Sequence, residues 1–152
     1  MAECVFCDIG AGRIDRDLAV PASERVYVLP ALRQRPRNRF HTLVLPIAHI
    51  RNLQDADPSL LAEIMSIAAR LTAALPAKLG ANGSFVFQNN VEPDDLPFHL
   101  HVHVVPRFGD DEFRTPDPYG VEEVPRRDRL AQARELRGLL ALRGSSRLTG
   151  MA

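Results

Sequence analysis

The stretch FHLHVHVVPR, Phe98 to Arg107, holds three of the five histidines in a 152-residue chain, at alternate positions of an otherwise apolar run. On a strand, successive side chains point to opposite faces, so His99, His101 and His103 share one face while Leu100, Val102 and Val104 fill the other. A helix would scatter the three rings around its axis. The β-branched valines followed by Pro106 also favour a strand. Neighbouring ring-bearing positions then lie roughly 6.6 to 7 Å apart along a rigid element. Such a row suits two tasks: binding a metal, or holding a nucleophilic imidazole whose neighbours fix its tautomer. A single histidine on a half-exposed strand is usually a surface residue. Three in register, flanked by hydrophobic residues, argue against that reading here.

Working outward, RVYVL (Arg25 to Leu29), HTLVLP (His41 to Pro46) and SFVFQ (Ser84 to Gln88) read as three further strands, with HLHVHVV (His99 to Val105) as the fourth. Asp57-Pro58 has the form of an N-cap followed by proline at the first helical position. After it, Leu60, Ile64, Ile67, Ala68, Leu71 and Leu75 recur at helical spacing, which predicts an amphipathic helix. Pro76 is expected to kink or end that helix, with Gly80 just beyond. A second helix is expected from about Arg127 to Leu142, with Leu130, Ala133, Leu136 and Leu140 on one side. The fold class expected is α+β: a mostly antiparallel sheet, one long central helix and a C-terminal helix. A single domain is expected over residues 1–143, with 144–152 as a frayed tail.

Composition narrows the function classes. Nineteen basic residues balance nineteen acidic ones, so no global field draws the chain to nucleic acid or to an anionic membrane. The opening MAECVFCDIGAG has neither a basic n-region nor an apolar h-region. No apolar run approaches the ~20 residues of a spanning helix, so no membrane span is expected. Two cysteines without an export signal imply a reducing compartment, and the expected location is the cytoplasm.

Cys4-Val-Phe-Cys7 lets two thiolates reach one tetrahedral ion. A redox pair would open a helix after a strand, and no strand precedes this one. Two small buried side chains are the plainer alternative. Surplus histidines favour the metal: two cysteines, His49 and one histidine of the row complete a four-ligand zinc site. An ion with four protein ligands has no open position, so such a zinc is structural.

His99-Leu-His101-Val-His103-Val-Val resembles the signature of the histidine triad (HIT) superfamily of nucleotide hydrolases and transferases. CVFCDIGAGRI and FHTLVLPIAHIRNL are similar to that family's N-terminal segment and to its segment around the LV-x-P turn, and HVVPRFGDDEF continues as the family does. Together they span most of Cys4 to Phe113. The resemblance implies a HIT-like fold, typically a homodimer, that attacks the α-phosphorus of a nucleotide or nucleotide conjugate. It implies His101 as the nucleophile that becomes nucleotidylated, His103 as the residue that orients the imidazole and contacts phosphate, and His41 in a supporting role. It assigns Zn2+ to Cys4, Cys7, His49 and His99.

Two positions depart from the family pattern. Where many members carry Gly-Gln-Ser or Gly-Gln-Thr, this chain has Asp94-Asp95-Leu96-Pro97-Phe98, and where an aspartate often grips ribose it has Ala31. Gln88, Asn89 and Asn90 leave a strand close to the triad and offer amides for phosphate or sugar, or else form an ordinary turn. Arg33, Arg35, Arg37 and Arg39 precede His41 on a loop that is either solvated or a dock for polyphosphate, and Arg107 is a further cation beyond the triad. Two rival functions stay open at this point: a metalloenzyme whose three-histidine row binds a metal that activates water, and a scaffold that kept fold and zinc but lost turnover.

Overall fold

Central strands explain most of the architecture. The computed structural model describes residues 4–90, 98–113 and 120–141. Its elements are α1 (Val5–Gly10), β1 (Val20–Pro21), β2 (Val26–Pro30), β3 (Arg33–Gln34), β4 (Thr42–Pro46), a 3-10 turn (Leu53–Asp55), α2 (Pro58–Leu79), β5 (Gly83–Gln88), β6 (Val102–Arg107), β7 (Glu122–Glu123) and α3 (Arg126–Ala141). Five strands form one sheet in the order β1-β2-β4-β6-β5, and β3 pairs with β7 separately. Every pairing is antiparallel. The expected α+β class with a long helix and a C-terminal helix is what the chain adopts. All five residues of β2 and of β4 are buried, which is why neither reads as a clean alternation in sequence.

The sheet separates two apolar clusters. On one side Val26, Val28, Val44, Val102 and Val104 pack with Leu60, Ile64, Ile67, Leu71 and Leu75 of α2 and with Ala133, Leu136 and Leu140 of α3. The other cluster joins Tyr27, Leu29, Leu43 and Leu45 to Ile9 of α1, with Phe6 and Leu130 packed against it. Leu71 and Leu75 are fully buried, each stabilising the fold by about 1.5–3 kcal/mol relative to an exposed side chain.

Helix α2 buries the same six residues that its spacing predicted. Asp57 Oδ1 accepts from Leu60 N at 2.9 Å at one end, and Gly80 takes a left-handed φ of 68° at the other, as a C-terminal glycine cap requires. Pro76 neither ends nor divides the helix, correcting the expected break. It lies within the last turn, and its carbonyl accepts from Gly80 N and Ala81 N. Against the expectation that no segment would be long enough, α2 has 22 residues and is long and apolar enough to span a membrane by length and composition alone. Here its leucines and isoleucines face the sheet.

The strand bearing the histidines starts later than expected, at Val102 instead of His99. Proline explains the shift. Ile47 N donates to Arg25 O, so the polar groups of Pro46 point away from β2 and toward β6. Proline has no N–H to give there, the ladder stops, and Leu100 N turns to Ile50 O at 2.7 Å. α3 runs from Arg126 to Ala141; Leu142, the tail 144–152 and the segment Asp94 to Pro97 lie outside the described residues.

Candidate active site and metal cluster

Cys4 caps α1 and Cys7 sits in its first turn, one turn apart on one face of the helix. Tyr27 of β2 donates its hydroxyl to Phe6 O at 2.8 Å, which ties α1 to the sheet beside the histidine strand. The Cys4 and Cys7 sulfurs lie 3.4 and 3.5 Å from His99 Nδ1, and Cys7 Sγ lies 3.3 Å from His49 Nδ1. All four ligand atoms fall within 4.8 Å of one another. With Zn–S of about 2.3 Å and Zn–N of about 2.0–2.1 Å, a tetrahedral ion separates its sulfur and nitrogen ligands by about 3.6 Å. The donor set fits zinc in both chemistry and spacing.

Burial first, and then the adjacent Cys4, push the Cys7 thiol up to about 11, so a metal bound here must displace thiol protons. Burial holds His99 down at about 4, opposed by its bond to Pro46 O, so the ring is neutral as a ligand must be. His99 Nε2–H donates to Pro46 O at 2.8 Å, leaving Nδ1 for the cluster. The proline that stops the β4–β6 ladder therefore also orients this ring.

The other two histidines of the row do different work. His101 Nδ1–H donates to His99 O at 2.6 Å, so its Nε2 carries the lone pair. Phe6, Phe98 and His103 surround that ring, with centroids 5.4, 5.2 and 4.7 Å away. Burial lowers the pKa of His101, with the bond to His99 O working against it. His103 Nδ1 lies 2.8 Å from His41 Nε2, and its ring stacks on Phe87 at 4.1 Å with planes 2° apart. Burial, followed by its imidazole neighbours, lowers His103 to about 2, and burial lowers His41 to about 4. Both rings are neutral at pH 7. With His41 Nε2–H as the donor of the pair, His103 Nε2–H is a buried donor with no partner among the described residues.

The sequence-predicted residues thus divide into groups. Cys4, Cys7, His49 and His99 converge on one point, while His101, His103 and His41 form a contiguous imidazole set beside it. Among the described residues, the one candidate ligand cluster takes a single histidine of the row, unlike the three that a metal-activated-water site would need.

The substrate candidates fare differently. Gln88 pairs with Val102, not with a histidine, so its side chain shares the Val86 and Val102 face. It bonds to Asn89 O and Asn90 Oδ1, and Asn90 bonds to Gln54 and to Leu53 N of the 3-10 turn. Asn89 is exposed. Arg107 is six residues beyond His101, roughly 20 Å along an extended chain, and chelates Asp111 at 2.7 and 3.1 Å. The arginine loop is committed as well: Arg33 and Arg39 face Glu123 and Glu122, Arg37 bonds Asp110 O at 2.6 Å, and Arg35 lies over Phe113. Ala31 is buried in the second apolar cluster.

The sequence reading did not single out Phe6 and Phe87, which wall the imidazoles. The register Phe87↔His103 was implicit in two adjacent strands of known face, but only once their pairing was fixed.

The family description "HIT domain" matches residues 20–110. The chain belongs to the HIT family. A HIT-like protein of Mycobacterium tuberculosis is 34% identical over 91% of this chain and 93% of its own. A Zn-bound histidine triad family protein from Mycobacterium smegmatis superimposes with a TM-score of 0.69 at 30% identity, covering 91% of this chain and 94% of that one. An adenylylsulfatase of Arabidopsis thaliana is 26% identical over 69% of this chain and 52% of its own length. Membership of the HIT family supports a nucleotide-binding, hydrolase-type function.

Proposed function

We propose that this HIT protein is a nucleotide hydrolase or nucleotidyl transferase that acts at the α-phosphorus of a nucleotide conjugate, a phosphoramidate or a dinucleoside polyphosphate, through His101. The observation that carries the reading is the orientation of His101. Its Nδ1–H is held by His99 O, which fixes the tautomer and leaves Nε2 as the nucleophile in a partly desolvated site. In the first step Nε2 donates its electron pair to phosphorus, a P–N bond forms, and the leaving group departs with the pair of the broken P–X bond and takes up a proton. His103 Nε2–H donates to a phosphoryl oxygen as charge builds. In the second step water attacks phosphorus, gives up a proton, and the P–N pair returns to His101, releasing a nucleoside monophosphate. Another acceptor in place of water makes the same chemistry a transfer. The adenylyl sulfate substrate in the name of the Arabidopsis relative accords with attack at a nucleotide phosphorus.

In this reading Zn2+ is structural, held by Cys4, Cys7, His49 and His99. It would lock α1 onto the segment that leads into β6. The chain is further taken to be a cytoplasmic homodimer, on family resemblance and its two free cysteines.

A scaffold that binds zinc without turnover is the second reading, favoured by the bonds of Gln88 to Asn89 and Asn90, by those of Asn90 to the 3-10 turn, and by the methyl of Ala31 in place of a carboxylate. Turnover assays with adenosine and guanosine phosphoramidates and dinucleoside polyphosphates separate the two. The enzyme reading expects monophosphate release that falls roughly 10³-fold or more in His101→Ala, with zinc content and fold retained. No product from any of these substrates would leave the scaffold standing.

A further inference from the structure

Gln34 lies at the base of the loop between β2 and β4 and is fully buried. Its amide has two donor hydrogens and two acceptor lone pairs, and all four are used. Nε2 donates to Ala31 O at 2.9 Å and to Gln132 Oε1 at 2.7 Å, while Oε1 accepts from Phe40 N at 3.0 Å and from Gln132 Nε2 at 3.1 Å. Gln132, itself 5% exposed, comes from α3. The two amides pair reciprocally across 98 residues of sequence.

The backbone that Gln34 grips is under constraint. Phe40 has a φ of 68°, a left-handed conformation that a bulky residue holds only when its surroundings impose it. Ala31 N donates to His41 O at 2.9 Å, and Thr42 Oγ1 donates to Phe40 O at 2.8 Å. Gln34 therefore clamps both sides of the loop base, Ala31 on one and Phe40 on the other, and the next residue is His41, whose Nε2 meets His103 Nδ1 at 2.8 Å.

We propose that Gln34 is a positioning residue for the His41–His103 pair, anchored by Gln132 from the C-terminal helix. The role in catalysis rests on the nucleotidyl-transfer reading above; the placement of the two imidazoles does not. Without the clamp, Phe40 is free to leave its left-handed state, and His41 moves with it. A displacement near 1 Å of a group that sets the phosphate contact is enough to slow the reaction by about 10-fold or more.

The test uses the full-length zinc-loaded protein with Gln34→Leu, and with the milder Gln132→Met should the first not fold. Imidazole 15N NMR reports the hydrogen bond and tautomer of His41 and His103 directly, and zinc content checks that the metal cluster is intact. The clamp predicts that the His41–His103 signature is lost or averaged, and that kcat falls about 10-fold or more while KM stays within about 3-fold. A staple that only adds stability would lower the melting temperature and leave both imidazole spectra unchanged, and that result overturns the proposal. If the parent protein turns over no nucleotide, the nucleotidyl-transfer reading fails while the NMR comparison still decides the clamp.

Discussion

Replacing His41 by glutamine removes one buried titrating ring while keeping an N–H that can reach His103 Nδ1. His41 is held at about 4 against an ordinary 6.5, chiefly by burial. A base with a depressed pKa binds fewer protons in the folded state than in the unfolded one. Its stabilising contribution is therefore complete above about pH 6.5 and is lost as pH falls toward 4. The full shift corresponds to about 3 kcal/mol, at about 1.4 kcal/mol per pKa unit. Taking the protein from pH 7 to about pH 5 removes about 2 kcal/mol of that through His41 alone. Urea unfolding with zinc in excess, at both pH values, measures the effect, because titration of the metal cluster is common to parent and variant. Asp111, whose carboxyl Arg107 holds below the usual range, titrates below this window and does not contribute. The expected result is that His41→Gln loses about 2 kcal/mol less than the parent between the two pH values. An equal loss in both proteins would show that His41 is not held neutral by the fold.

Other outcomes follow from the same geometry. A Cys4→Ser, Cys7→Ser double variant is expected to purify without stoichiometric zinc by elemental analysis, and full retention would refute the ligand assignment. Metal in the parent should be released on acidification as thiolates and imidazoles protonate. Asp111 is buried and accepts from Arg107, Asn38 Nδ2, Phe108 N and Phe113 N; Asp111→Ala should cost about 3–5 kcal/mol in urea unfolding, and a loss below about 1 kcal/mol would contradict the network. Leu71→Ala empties a fully buried site and should cost about 2–5 kcal/mol without altering zinc content.

Local pattern made some of this architecture readable in advance. The α2 core face follows from spacing alone, because Leu60 to Leu75 meet one sheet on one side. Asp57 and Gly80 mark its ends by chemistry that acts over a few residues. The division of histidines between metal and imidazole set came from the motif and its neighbours, not from composition. What stayed hidden depends on contacts between distant residues. β3 and β7 have two residues each, too few for any period to show, and the partners Arg33↔Glu123 and Gln34↔Glu122 come from opposite ends of the chain. The shortened histidine strand depends on which way Pro46 points, which only the β2 register decides. Gln34 and Gln132 look like two ordinary polar residues until the fold brings their amides together. Gln88 looked available for substrate because its strand ends near the triad, yet a register one residue removed from His103 turns it to the opposite face.

Intact-mass spectrometry after rapid mixing with an adenosine or guanosine phosphoramidate, followed by peptide mapping at neutral pH, asks which atom bonds to phosphorus. A mass increase of one nucleotidyl group, located on His101 and absent from His101→Ala, is the predicted result. An adduct on any other residue, or monophosphate formed at an undiminished rate by His101→Ala, would contradict it.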